Sequence, residues 1–201
     1  MENKTVAVIG CGGLGGYAVE YLVRLGVGKV VAVDGDVFSE SNLNRQLLCT
    51  RDTIGKSKAM QAKLRAEAVN PTVEVKAVCE FLTEDNAEAI LSGCDLVIDA
   101  LDNTQSRKVL LNACNKLGLT LVHGAIGSRC FQLAVIKPGM ELPDASAREF
   151  HGGEVQAFVP AMCAAIQISE AEKILLGRES TLCGKLLCVD LNDNEAVEIS
   201  L

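Results

Sequence analysis

The sequence predicts an α/β fold in which a mainly parallel sheet is covered by helices on both faces and closed by a C-terminal strand pair. Two observations predict it. From Thr5 to Val122, apolar β-branched runs alternate with segments of helical periodicity, the pattern of right-handed βαβ units. A glycine-rich turn, Gly10-Cys-Gly-Gly-Leu-Gly15, separates the first such run from the first helical segment. G-x-G-x-x-G there permits a tight strand-to-helix turn and close approach of backbone to phosphate, so the fold is expected to be Rossmann-like.

The elements follow in order. Strands are expected at Thr5 to Ile9, Lys29 to Val33, Val73 to Val78, Asp95 to Ile98, Leu119 to Val122 and Cys130 to Ile136. Helices are expected at Leu14 to Leu25, Lys56 to Val69, Glu84 to Leu91 and Thr104 to Leu117. Gly26, Gly93 and Gly118 stand where helices should stop, Asn70-Pro71 forbids continuation of the second, and Thr83 is a candidate N-cap. From Lys137 to Val159 the chain has Pro, Gly and charge but no periodicity, and a loop of that length is commonly functional. A closing helix is expected from Pro160 to Gly177, then two final strands, Lys185 to Val189 and Ala196 to Ile199. With 201 residues, one domain over 1–201 is expected.

Composition removes several classes. The hydrophobic residues, 49% of the chain, fall in short runs, none near the ~20 consecutive apolar residues of a membrane helix. Met1-Glu-Asn-Lys-Thr5 leads straight into the first strand without a basic, apolar leader, so a cytoplasmic protein is expected. The nine cysteines lie singly in apolar segments and form no C-x-x-C pair, so no structural zinc is expected. A net charge of -7 and 3% aromatic residues argue against nucleic acid as partner.

Candidate site residues gather after the strands. Gly10, Gly12, Gly13 and Gly15 supply the phosphate turn, whose helix N-terminus carries unpaired N–H groups. Asp34, 24 positions after Gly10, stands where an acid meets ribose hydroxyls, or where a turn acid ends a strand; Asp36 faces a metal or solvent. Asn42, Asn44, Arg45 and Gln46 then bring amides and a planar cation to the sheet's carboxyl edge, the equipment for a triphosphate or an exposed polar helix start. Lys56 and Lys58 open a predicted helix, where the macrodipole disfavours cations by ~0.3–1 kcal/mol, and a nearby polyphosphate would explain them. Gly55-Lys-Ser57 mimics the end of a P-loop, but no glycine-rich cradle precedes it. Asp99 and Asp102 end the fourth main strand, with Asp102 a magnesium ligand and Asn103 beside it, although Asp102-Asn-Thr104 also fits a plain helix cap. Arg107 pairs with a carboxylate or lies exposed, and His123 and His151 read as structural or solvated.

Taken in order, Gly10-Cys-Gly-Gly-Leu-Gly15, Asp34-Gly-Asp36, Asn42-Leu-Asn-Arg-Gln46, Gly55-Lys-Ser-Lys58 and Asp99-Ala-Leu-Asp-Asn103 resemble the ThiF/MoeB/HesA family, bacterial relatives of ubiquitin-activating enzymes. The resemblance implies ATP-dependent adenylation of the C-terminal glycine carboxylate of a small ubiquitin-like sulfur carrier ending in Gly-Gly, with magnesium, in a homodimer. It implies that Gly12 and Gly15 border the phosphates, that Asp34 holds the ribose, and that Asn42, Arg45 and Gln46 line the triphosphate site. It further implies that Lys58, rather than Lys56, is the family lysine, that Asp102 is the aspartate associated with magnesium, and that 137–159 is a crossover-like loop over the carrier's tail. Arg45, Lys58 and Asp102 are then the catalytic set. Paired C-x-x-C motifs and an N-terminal helical extension, both found in many relatives, are not seen in these residues, and Cys163 is only a weak candidate nucleophile. Three other readings share parts of the pattern: a dehydratase acting on threonylcarbamoyladenosine in tRNA, an NAD-dependent oxidoreductase, and a scaffold without activity.

Overall fold

The structure is a computed structural model that describes residues 1–141 and 153–201. Among these residues eight strands form one sheet in the order β3-β2-β1-β4-β5-β6-β7-β8. They are β1 (Thr5–Ile9), β2 (Lys29–Val33), β3 (Glu74–Val78), β4 (Leu96–Asp99), β5 (Leu121–Ile126), β6 (Cys130–Ile136), β7 (Lys185–Asp190) and β8 (Glu195–Ser200). The five strands β3-β2-β1-β4-β5 pair in parallel, whereas β6, β7 and β8 each join their predecessor antiparallel. The expected C-terminal pair is thus a hairpin, β7–β8, that continues an antiparallel run begun at β5–β6.

Among the described residues five α-helices cover the sheet: α1 (Gly13–Arg24), α2 (Lys58–Val69), α3 (Ala87–Leu91), α4 (Thr104–Leu117) and α5 (Phe158–Leu175). The continuous apolar runs of the inner strands follow from burial on both faces. In β1, Val6 and Val8 enter the core with Leu14 of α1, Ala59 of α2 and Ile168 of α5, while Ala7 and Ile9 enter the second core with Leu91 of α3 and Leu110 of α4. Ala59, Ala62 and Ala66, all buried, give α2 a flat face that lies close to the sheet.

Several boundaries differ from the periodicity, each for a local reason. Helix α2 starts at Lys58 and not Lys56, because Ser57 is its N-cap, accepting from Met60 N at 3.4 Å, and Ser57 bridges back to Val37. Helix α3 forms only from Ala87, since Asn86 Oδ1 takes the Thr83 N–H at 2.8 Å and holds the preceding residues in a turn. Helix α5 starts two residues before Pro160, which needs no N–H in a first turn. Strand β5 runs on through His123 and Gly124, and that glycine is a packing requirement: a Cβ would stand 2.8 Å from Leu14 Cδ2 and 3.0 Å from Gln167 Nε2. Gly26, Gly93 and Gly118 have the positive φ of helix stops. Part of the crossover-like loop expected at 137–159, namely 142–152, lies outside the described residues, as does His151.

The strand order reverses between β1 and β4, whose first connections run to opposite sides. Open α/β sheets bind ligands at the carboxyl edge of such a switch point. The glycine turn after β1, Asp34 after β2 and Asp102 after β4 all lie there.

Candidate active site

A cavity of about 380 Å³ opens at that edge, within the range of small-molecule sites. Gly10, Gly12 and Gly13, then Asp34 and Asp36, Arg45 and Gln46, Lys58, and Asp102 and Asn103 all line it. Sequence segments as distant as Gly10 and Asn103 therefore share one wall.

The glycine turn is built by two close approaches. Gly10 has φ +94°, and a Cβ there would lie 2.6 Å from Ala100 O. A Cβ on Gly15 would lie 1.8 Å from Gly10 O, so the third glycine lets α1 fold back onto the turn. Gly15 is buried and, unlike Gly12 and Gly13, is not on the cavity wall. No side chain caps α1 at Gly12, so its first-turn N–H groups remain available at the cavity.

Asp34 directly follows β2, against this turn. Its Oδ2 accepts from Cys11 N at 2.7 Å and its Oδ1 from Asp36 N at 2.8 Å. The carboxylate is thereby fixed at the cavity wall rather than left to sweep through solvent. Asp36 accepts from Lys58 Nζ at 2.9 Å, and the lysine side chain is only 10% exposed against 57% for the aspartate. Lys58 thus stands at the first position of α2 with a carboxylate that offsets the unfavourable dipole. Lys56 lies outside both the helix and the cavity wall.

The segment after β2 divides its polar residues between scaffold and cavity. Asn42 is buried in a 3₁₀ turn (Glu40–Asn42), where its Oδ1 accepts from Ser39 N at 3.1 Å. It is not among the residues on the cavity wall. Asn44 donates to Glu154 Oε1 at 2.9 Å and to Val155 O at 3.3 Å, and accepts from Arg45 Nη1 at 2.8 Å, tying Arg45 to the chain that leads into α5. Gln46 lines the cavity and is buried, and its Oε1 has no hydrogen-bond partner among the described residues. A buried acceptor left open in this way suits a polar ligand.

Asp99, the last residue of β4, and Asp102, just beyond it, have different fates. Asp99 is fully buried; its Oδ1 accepts from Leu101 N at 3.0 Å, and its Oδ2 lies 2.7 Å from His123 Nδ1 and 3.4 Å from Arg107 Nε. Arg107, one turn before Leu110 on the buried stripe of α4, also donates through Nη2 to Leu101 O. Gln167 of α5 donates to Asp99 O and Val122 O, both at 2.8 Å. This buried network clamps the peptide that presents Asp102. Asp102 itself is exposed on the cavity wall, and its Oδ1 accepts from Asn103 Nδ2 at 3.2 Å. Asn103 caps α4 through Ser106 N at 2.8 Å, so the cap and the cavity-facing acid are neighbouring residues.

Cys163, in the second turn of α5, is fully buried, and burial with Asp99 nearby pushes its thiol well above the ordinary range. It is not presented to any substrate as a nucleophile. Burial likewise raises Cys114 to about 12 and Cys94 to about 11. Among the described residues no group of three or more His, Cys, Asp or Glu side chains converges on a metal position. Among them also, no helix is long and apolar enough to cross a membrane. Sequence reasoning missed Glu80 and Phe81 on the outer cavity wall, because the short segment after β3 has neither motif nor periodicity.

Fold and cavity together define a nucleotide-handling α/β protein whose cations lie outside the glycine turn. The chain belongs to the ThiF family, which it matches over residues 1–201. It is 36% identical to the SAMP-activating enzyme E1 of Haloferax volcanii, over 95% of this chain and 74% of that protein. It is 37% identical to the sulfur carrier protein adenylyltransferase of Thermus thermophilus, over 94% of this chain and 76% of that protein. Among solved structures, E. coli MccB with AMPCPP and MccA superposes with a TM-score of 0.85 at 18% identity. That likeness shows the shared fold over 99% of this chain, which spans 64% of the MccB chain, under two thirds of it.

Proposed function

We propose that this protein adenylates the C-terminal glycine carboxylate of a small ubiquitin-like sulfur carrier, consuming ATP and releasing pyrophosphate. The observation that carries the reading is the single cavity shared by an uncapped helix N-terminus, the cations Arg45 and Lys58, and the acids Asp34 and Asp102. Relatives named as a sulfur carrier protein adenylyltransferase and a SAMP-activating enzyme support it, as does the AMPCPP in the MccB complex.

In the reaction, a carboxylate oxygen of the carrier attacks the α-phosphorus of ATP, and the bond from that phosphorus to the pyrophosphate oxygen breaks. The carboxylate is already ionised at neutral pH, so no base need remove a proton; alignment and charge stabilisation suffice. The Gly12–Gly13 turn and the first N–H groups of α1 hold phosphate oxygens. Asp34 receives the ribose hydroxyls. Lys58 turns from the half-solvated Asp36 towards the polyphosphate, and with Arg45 it neutralises charge gathering on the leaving pyrophosphate. Asp102 offers the hard oxygen donor that magnesium prefers, and its exposure leaves room for the waters and phosphate oxygens that complete such a shell. When bound there, the ion supplies positive charge to the phosphates.

The reading extends to a homodimer working in the cytoplasm, where ATP is available; light scattering on the purified protein tests the dimer. An oxidoreductase needs the glycine turn and Asp34 but leaves Arg45, Lys58 and Asp102 without a shared task. The direct test is carrier-dependent exchange of labelled pyrophosphate into ATP. Exchange with a Gly-Gly-terminated carrier supports the reading, and none with any such carrier, despite ATP binding, contradicts it.

A further inference from the structure

The outer wall of the cavity is the segment Glu80 to Leu82, between β3 and α3. Its neighbours point in opposite directions. Leu82 enters the core with Leu91 and Val33, whereas Phe81 is 66% exposed, more than any other large apolar residue among those described. A single exposed ring is ordinary on a protein surface. This one lines a polar cavity and is held in place.

Two restraints fix it. Asn86 Nδ2 donates to Phe81 O at 3.0 Å and to Glu80 Oε2 at 3.4 Å, while Asn86 Oδ1 accepts from Thr83 N at 2.8 Å. On the inner side, Gly35 leaves space for the ring: a Cβ there would stand 2.7 Å from Phe81 Cγ and Cδ2, and 2.6 Å from Phe81 N. The ring therefore lies directly against the backbone that follows Asp34. Phe81 is also the only aromatic residue on the cavity wall among the described residues.

We propose that Phe81 is the platform on which the base of the bound nucleotide stacks, and that it sets the preference for purine over pyrimidine triphosphates. The inference rests on the reading of this cavity as the ATP site. With Asp34 at the ribose and α1 at the phosphates, a base lies at the remaining wall, one sugar away from the phosphate chain. A flat, open π-face fixed beside the ribose acid offers contact without ordering a mobile side chain on binding. Purines gain more than pyrimidines from such a face because they overlap more of it.

The test compares wild type with Phe81→Ala and Phe81→Tyr by calorimetry against ATP, UTP and inorganic tripolyphosphate, which keeps the phosphates but lacks base and sugar. Base stacking on aromatic side chains predicts about 5- to 160-fold weaker ATP binding in Phe81→Ala. Tripolyphosphate binding should not change, the preference for ATP over UTP should disappear, and Phe81→Tyr should keep both the ATP affinity and the preference of wild type. In exchange assays the same variant should raise KM for ATP and leave kcat intact, the signature of binding lost equally in ground and transition states. Unchanged ATP affinity in Phe81→Ala, or equal weakening of ATP and tripolyphosphate, overturns the proposal. Failure of wild type to bind ATP would instead remove the functional reading on which it rests.

Discussion

Lys58→Met separates a catalytic lysine from a structural one. Methionine keeps the apolar stem of a side chain that is only 10% exposed and removes the ammonium group. Its partner Asp36 is 57% exposed, so the ion pair contributes no more than about 1 kcal/mol to stability. Removing a cation from the first position of α2 also relieves an unfavourable dipole interaction of about 0.3–1 kcal/mol. The two terms oppose each other, so urea unfolding should place the variant within about 1 kcal/mol of wild type. Transition-state charge stabilisation by one positioned group is larger, and its loss should slow pyrophosphate exchange by about 10²- to 10³-fold. The assay is carrier-dependent exchange at saturating ATP, with unfolding measured on the same preparation. A wild-type exchange rate, or a loss of rate matched by a loss of folded protein, would refute the assigned role.

Three further outcomes follow from other parts of the molecule. Gly15→Ala places a Cβ 1.8 Å from Gly10 O, so the turn must move; a loss of ~1–3 kcal/mol in unfolding free energy is expected, with weakened ATP binding, and wild-type affinity would contradict the packing argument. Asp99→Asn leaves Arg107 buried beside a neutral group, and urea unfolding should show a loss of about 3–5 kcal/mol, a change below ~1 kcal/mol being inconsistent with a buried ion pair. The carboxyl of Glu20 is held below its ordinary value of 4.5, chiefly by hydrogen bonds from Arg65 and then from Arg24, against the opposing effect of burial. Because the folded value is the depressed one, this stabilisation is complete above pH 4.5 and is lost as pH falls through the folded value. Glu20→Gln should therefore flatten the stability profile below pH 4.5, and an unchanged slope would show that the cluster is not linked to folding.

The legible part of the molecule is the part whose residues act through backbone geometry. Gly10, Gly12 and Asp34 could be read because a tight turn and a strand-end acid leave few alternatives at that spacing. Strands β1 and β4 were equally visible, since burial on both faces demands uninterrupted apolar residues. Side chains that choose among partners were not. Asn42 and Asn44 look alike in sequence, yet one closes a 3₁₀ turn and the other ties Arg45 to the chain before α5. Asn86 shortened α3 by competing for a backbone N–H, which periodicity does not register. His123 and Gly124 concealed the second half of β5, because a histidine paired with buried Asp99 and a glycine under Leu14 break the apolar pattern they belong to. Phe81 carried no signal because its meaning lies in Gly35, 46 positions earlier in the chain.

The central claim is that one cavity transfers AMP to a carboxylate. The most direct measurement incubates the protein with ATP, magnesium and a Gly-Gly-terminated carrier, then weighs the intact carrier by mass spectrometry, with the same carrier amidated at its C-terminus as control. The account predicts a carrier heavier by AMP less water, formed with pyrophosphate as the only other phosphate product, and absent from the amidated control. ATP consumed to ADP and phosphate with no adduct, or an adduct that forms on the amidated carrier, would contradict it.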